Sequence, residues 1–281
     1  MEPIGAAALY DNISLPYFSI GGAMLILLVS LPAAAVLGFL SGARRRQVLI
    51  KTGRPVDQVA GETTLGAALA LLGLLIAFSY GNSLNLSQTR KSVLVSEAAA
   101  LGTAFLRADY LAEPGRTDLQ VALLDYARTR LLPGDNSITS LEEAQRFIAT
   151  TLELQARLWP LTLEATADPL PPPMKAFVAG AVNEALDSHL YRVETLSVPV
   201  SELAQAMLLA AALLALFLLG NRAGTIGRKL SWRTFAFSGF LFLVMASILD
   251  MQRATEGLIR TDATAMLVTI YDMEQALAGR S

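Results

Sequence analysis

The chain has 281 residues, a formal net charge of −2, 53% hydrophobic residues and only 16% charged ones. Soluble domains carry about 25% charged residues, so this balance points to lipid as part of the solvent. No water-exposed stretch is basic enough to follow a nucleic acid backbone, and the absence of cysteine excludes disulfides, thiolate nucleophiles and thiolate-ligated metals.

A helix needs roughly 20 apolar residues to cross a hydrocarbon core about 30 Å thick. The N-terminal tail, Met1 to Pro16, has no Lys or Arg and leads into a first uncharged span, Tyr17 to Leu40. Without a basic n-region before it, that span reads as a retained helix rather than a signal peptide. A second uncharged span runs from Thr63 to Gly81. The region from about Asn82 to Pro199 then reads as helical hairpins. A first amphipathic segment covers Leu86 to Leu111 and is ended by Pro114. Thr117 is placed to cap a second, which stops at the Pro133-Gly134 turn. Ser140 with Glu143 has the spacing of a capping box and opens a helix reaching Trp159-Pro160. Ala167 to Pro173 is a stiff proline linker, followed by a helix over Met174 to Leu196. Pro199 punctuates the entry to a third span, Leu203 to Gly220, and a shorter fourth follows at Thr234 to Leu249. Beyond it Gly257 to Arg260 reads as extended, and Asp262 as the cap of a short helix with Met266, Ile270, Met273 and Leu277 on one face.

These elements predict an all-α, polytopic membrane protein: four transmembrane helices, with a helical water-exposed domain between the second and third. The expected divisions are an N-terminal tail with helices one and two (1–82), the helical domain (83–200), helices three and four (201–250) and a C-terminal tail packing on the helical domain (251–281). Lys and Arg near helix ends resist translocation. The loop after the first span carries Arg44, Arg45, Arg46, Lys51 and Arg54; the loop after the third carries Arg222, Arg228, Lys229 and Arg233. Both loops fall on the same side, which the charge rule makes cytoplasmic. The expected location is the cell's inner membrane, with both termini and the helical domain extracytoplasmic.

No motif for catalysis, cofactor or metal binding is present, so the expectation is a protein without enzymatic activity or cofactor. Asn183, Glu184, Asp187 and His189 form the densest polar cluster, yet His189 points at least 140° away from one of the carboxylates on a helix. That pattern is better read as a solvated face or a structural hydrogen-bond network than as a metal site. Glu97 and Arg107 read as partners of neighbouring helices. No span has an ionisable residue near its centre, which argues against an ion-coupled pump. The second span has two stripes. Gly73, Ala77 and Gly81 form a small-residue ladder that allows close helix approach. Ala70, Leu74 and Phe78 form a neighbouring apolar stripe that fits either bundle packing or the lining of a pore.

LGLLIAF (Leu72 to Phe78), the basic pair Arg90-Lys91 and EAAALGTAFLR (Glu97 to Arg107) resemble the signature of the domain-of-unknown-function 4239 family, also called bestrophin-like. Leu158-Trp159, Val182-Asn183-Glu184, Asp187, Arg192 and the tail LDMQRATEGLIR (Leu249 to Arg260) continue the likeness across most of the chain. The residues that carry it most clearly are Glu97, Gly102, Arg107, Asn183 and Glu184. The second span is also similar to that of true bestrophins, which are homo-pentameric anion channels with a neck lined at i, i+4 and i+8. The resemblance implies a homo-oligomer in lipid, with Ala70, Leu74 and Phe78 at the neck and chloride or another anion as the permeant species. An interaction or sensory protein, anchored in the membrane and presenting its helical domain outside, is the competing expectation.

Overall fold

In the computed structural model, residues 19–53, 62–131, 141–167, 169–197, 202–253 and 262–279 are described, and every regular element among them is helical. The first helix, α1 (Ile20–Lys51), opens at Ser19, whose hydroxyl accepts from the Gly22 N–H at 3.2 Å. A serine there satisfies one of the orphan donors of the first turn. The helix carries Pro32 inside it and continues past Leu40 to Lys51, so Arg44, Arg45, Arg46 and Lys51 lie on its final turns rather than in a loop.

The second helix, α2 (Glu62–Arg107), is continuous over 46 residues. It joins the span read at Thr63 to Gly81 to the segment read at Leu86 to Leu111. No proline interrupts the junction, and Ser83 stays within the helix by donating to the Ser79 carbonyl at 2.7 Å. A short 3-10 turn, Ala108–Tyr110, follows. The remaining helices are α3 (Gly115–Thr129), α4 (Leu141–Ala165), α5 (Pro172–Ser197), α6 (Glu202–Ile226), α7 (Trp232–Gln252) and α8 (Thr264–Ala278). Four of them, α1, α2, α6 and α7, are long and apolar enough to cross a membrane. The last is longer than the uncharged run alone indicates: its 21 residues extend about 31 Å.

Local chemistry moved several boundaries. Thr117 lies inside the first turn of α3 rather than capping it; Glu113 does that work, accepting from the Thr117 N–H at 3.2 Å and pairing with Arg116. Helix α4 does not end at Trp159-Pro160 but runs through Pro160 to Ala165. An internal proline costs about 3 kcal/mol, and burial of Leu158 with packing of Leu161 and Ala165 on the core offsets it. Pro172 and Pro173 belong to α5, where first-turn N–H groups have no intrahelical partner to lose. The Pro133-Gly134 turn, the Ser140–Glu143 capping box, Pro199 and the extended reading of Gly257 to Arg260 lie outside the described residues and side chains.

The helices fall into two compact units. One contains α1, α6, α7 and α2 up to Asn85. Its core includes Leu31, Ala35, Leu72, Ala212, Leu216, Leu241 and Met245. Here α1 and α6 meet backbone to backbone through two glycine pairs. A Cβ on Gly38 would collide with the Phe217 carbonyl, on Gly42 with that of Asn221, on Gly220 with that of Ala35, and on Gly224 with that of Phe39. Both helices thus present a G-x-x-x-G face to the other, the arrangement that lets helices associate where lipid supplies no hydrophobic drive. Polar groups are tied together in the same unit. Gln205 Nε2 donates to Gln252 Oε1 at 3.1 Å, and Gln252 Nε2 donates to Ser83 Oγ at 3.0 Å.

The other unit contains α2 from Leu86 onward with α3, α4, α5 and α8. Its core is built from Leu101, Phe105, Leu119, Leu123, Leu158 and Val182, and Met266, Ile270 and Met273 of α8 are buried in it. Asp262 accepts from the Thr264 N–H at 2.9 Å at the start of α8.

Gly38→Ala or Gly220→Ala should destabilise the first unit by about 1–3 kcal/mol, because backbone rather than a movable side chain occupies the space. Gly73→Ala, which meets nothing within 4 Å in the chain, should leave its stability unchanged. Thermal unfolding in detergent reads the difference, and equal midpoints for all three would contradict the packing.

Candidate functional site

Two places gather the residues singled out in the sequence. The first is the outward side of α2 in the membrane-type unit. Leu65 and Leu72 are buried, and residues of the same turns pack on the core. On the other side, Ala70, Leu74, Phe78, Gly73, Ala77 and Gly81 are all exposed in the single chain. Phe78 is 70% exposed and Leu74 53%. Beside the glycines, a Cβ at position 73 or 81 would meet nothing within 4 Å. The two stripes lie three residues apart in register, hence about 60° apart around the helix axis. One face of α2 therefore carries a small-residue ladder next to a row of apolar side chains, with neither covered by the described residues.

The second place lies in the helical domain. Glu97 projects from α2 into a fully buried position, where Arg130, at the C-terminal end of α3, donates Nε to Oε1 at 2.6 Å. From α5, Arg192 donates Nη1 to Oε2, also at 2.6 Å. Each carboxylate oxygen thus holds one guanidinium, and three helices meet on one side chain. Charge-assisted bonds this short are the strong class. Arg90, two turns before Glu97 on the same face of α2, is buried too and donates to the Thr195 carbonyl of α5 at 3.3 Å. His189 sits one turn before Arg192 on the same face of α5 and is only 1% exposed. Neither of its ring nitrogens has a hydrogen-bond partner among the described residues. Burial first, then the positive charge of Arg130, pushes its pKa down from 6.5 to about 4; Arg192 acts in the same direction and Glu97 opposes it.

The remaining sequence candidates separate. Arg107 donates Nη1 to the Phe177 carbonyl of α5 at 3.0 Å and its guanidinium lies 4.1 Å from the centre of the Phe177 ring. Tyr110 packs edge-on against the same ring at 5.6 Å. Gly102 approaches α8, with an added Cβ at 3.5 Å from Thr269 Cγ2. Asn183 donates to Asp187 at 3.0 Å on the solvent side of α5, with Glu184 exposed beside them, whereas His189 turns into the core. The four-residue polar cluster is thus divided between two faces, and no group of three His, Asp or Glu among the described residues has a metal-holding arrangement.

Arg130 was not singled out by the sequence, and His189 was read only as a member of the polar cluster on α5. The usable signal was Glu97 itself: an acid followed by AAALGTAF, on a face otherwise built to be buried, needs a cationic partner from another helix. Comparison of the chain with known protein families, curated proteins and solved structures returned no match.

The His189 shift has a definite sign. Its folded pKa, about 4, lies below the ordinary 6.5, so between those values the unfolded chain takes up a proton that the folded chain refuses. This contribution to stability is complete above pH 6.5 and is lost as pH falls toward 4. Thermal midpoints should therefore drop more steeply between pH 7 and 5 for the parent than for His189→Leu; parallel curves would contradict the assignment.

Proposed function

We propose that the chain is a four-span inner-membrane protein of the bestrophin-like kind that assembles with copies of itself into an anion-permeable pore. The observation that carries this reading is the uncovered face of α2. Close approach through Gly73, Ala77 and Gly81 is the contact that small-residue ladders make between helices in lipid. If copies of α2 meet along that ladder, the adjacent stripe of Ala70, Leu74 and Phe78 turns toward a common axis. A ring of such side chains makes a narrow apolar neck, which gates by admitting or excluding water.

The charge pattern supplies the orientation. The basic ends of α1 and α6 belong in the cytoplasm, and the helical domain outside. Arg46 and Gly227 are close enough that a Cβ on the glycine would meet the guanidinium, which supports placing both basic segments at one end of the membrane unit.

A second reading has its own support. The exposed rings of Tyr110 and Phe177 with the half-buried Arg107 offer an aromatic and cationic surface on the helical domain, and such residues are enriched where proteins bind one another. On that reading the spans anchor an interaction or sensory domain.

Phe78→Ala separates the two. In a pore it widens the neck and raises anion conductance in planar bilayers, chloride included. On a lipid-facing helix it changes neither current nor assembly. Folded Phe78→Ala protein with parental conductance across several anions would remove the channel reading.

A further inference from the structure

The centre around Glu97 has a charge imbalance. One carboxylate faces two guanidiniums, all three nearly removed from solvent: Glu97 0%, Arg130 2% and Arg192 8% by side chain. The two ion pairs account for both oxygens of Glu97, and no second carboxylate pairs with either arginine among the described residues. An uncompensated charge in a protein interior is costly unless a counter-charge or hydrogen-bond partner meets it. Beside this surplus stands a second feature. His189, one turn before Arg192 on the same face of α5 and within electrostatic reach of Arg130, Arg192 and Glu97, is buried with both ring nitrogens unpartnered among the described residues. Neutral imidazole always carries one N–H donor, and buried polar groups in folded proteins nearly always find a partner.

We propose that Arg130, Arg192 and His189 together bind one small monoanion, of the size and charge of a halide, as a structural ligand of the helical domain. A monoanion answers both features at once. It cancels the surplus positive charge and accepts the imidazole N–H. A cation is excluded by the two guanidiniums, and a dianion would overcompensate a net charge of one. A bound water would satisfy the imidazole but leave the charge. Burial is the main cause of the lowered His189 pKa, and both arginines add to it against Glu97, which is the direction of charge an anion would meet there. Neither the site nor its ligand depends on whether α2 lines a pore. It would make the stability of the domain depend on the identity of the anion in solution rather than on ionic strength alone.

The test uses the full chain, purified in detergent and exchanged into sodium gluconate, whose anion is too large for so closed a site. Chloride or bromide then replaces gluconate at constant ionic strength, and thermal unfolding is followed. The parent should show a saturable rise in midpoint of about 3–6 °C at tenfold excess over the dissociation constant. Arg192→Gln keeps the Glu97–Arg130 pair but removes the surplus charge, and should lose the halide response. His189→Leu removes the N–H donor while keeping both ion pairs, and should weaken it; this variant carries the test if Arg192→Gln does not fold. A parent midpoint that is the same in gluconate, chloride and bromide overturns the proposal. So does a halide response undiminished in the folded variants, because the anion then binds elsewhere.

Discussion

One constraint governs the molecule: α2 is a single helix that must suit two surroundings. Its first part, from Leu65 to Tyr80, has no charged side chain, whereas its later part carries Arg90, Glu97 and Arg107. At about 1.5 Å per residue, 46 residues extend about 69 Å, more than twice the hydrocarbon thickness of a bilayer. The helix cannot be all membrane span. The buried carboxylate of Glu97 explains how the later part is held: it draws α3 and α5 onto α2 through one bond to Arg130 and one to Arg192. Removing one partner of such a buried pair costs about 3–5 kcal/mol, an amount comparable with the whole stability of many domains.

The two units are stabilised by different physics, and each matches its composition. In the unit made from α1, α6, α7 and α2 up to Asn85, glycines bring backbones of α1 and α6 into contact and short amide and hydroxyl relays close the polar gaps, as at Gln205, Gln252 and Ser83. These devices suit helices that gain little from burying one apolar side chain in place of lipid. In the helical domain the large apolar residues of five helices interlock, and two buried guanidiniums share the one carboxylate of Glu97. That pattern is the one that burial of apolar surface away from water produces. The open stripe of α2, with Leu74 and Phe78 outward, has no such explanation within one chain. The proposal that copies of the chain meet there rests on this open stripe.

What the sequence could disclose follows the same division. Runs of apolar residues without charge identify the four long helices, because hydrophobic length is a one-dimensional property. The helix facing inward at Met266, Ile270 and Met273 was equally readable from its period. The glycine contact of Gly38 and Gly42 with Gly220 and Gly224 was not, since G-x-x-x-G spacing recurs by chance in apolar helices and only the fold shows which copies face one another. Pro160 misled for a related reason: a local rule about proline ignores the packing of Leu158 and Leu161 on either side of it. The ionic centre was half visible. Glu97 stood out, but its partners lie 33 and 95 residues away, and nothing in a single sequence says which of many arginines reaches it.

The central proposal is that the four long helices cross a membrane and leave the helical domain on the side opposite the basic helix ends. The absence of cysteine makes it directly measurable. A single cysteine replaces Asp118, which is exposed on α3, and another replaces Arg45 on the last turns of α1. Each variant is then treated with a membrane-impermeant maleimide in intact cells with the outer envelope opened. The account predicts labelling of Asp118→Cys before lysis and of Arg45→Cys only after it. The reverse pattern would place the helical domain in the cytoplasm, and labelling of both before lysis would contradict a membrane-spanning chain.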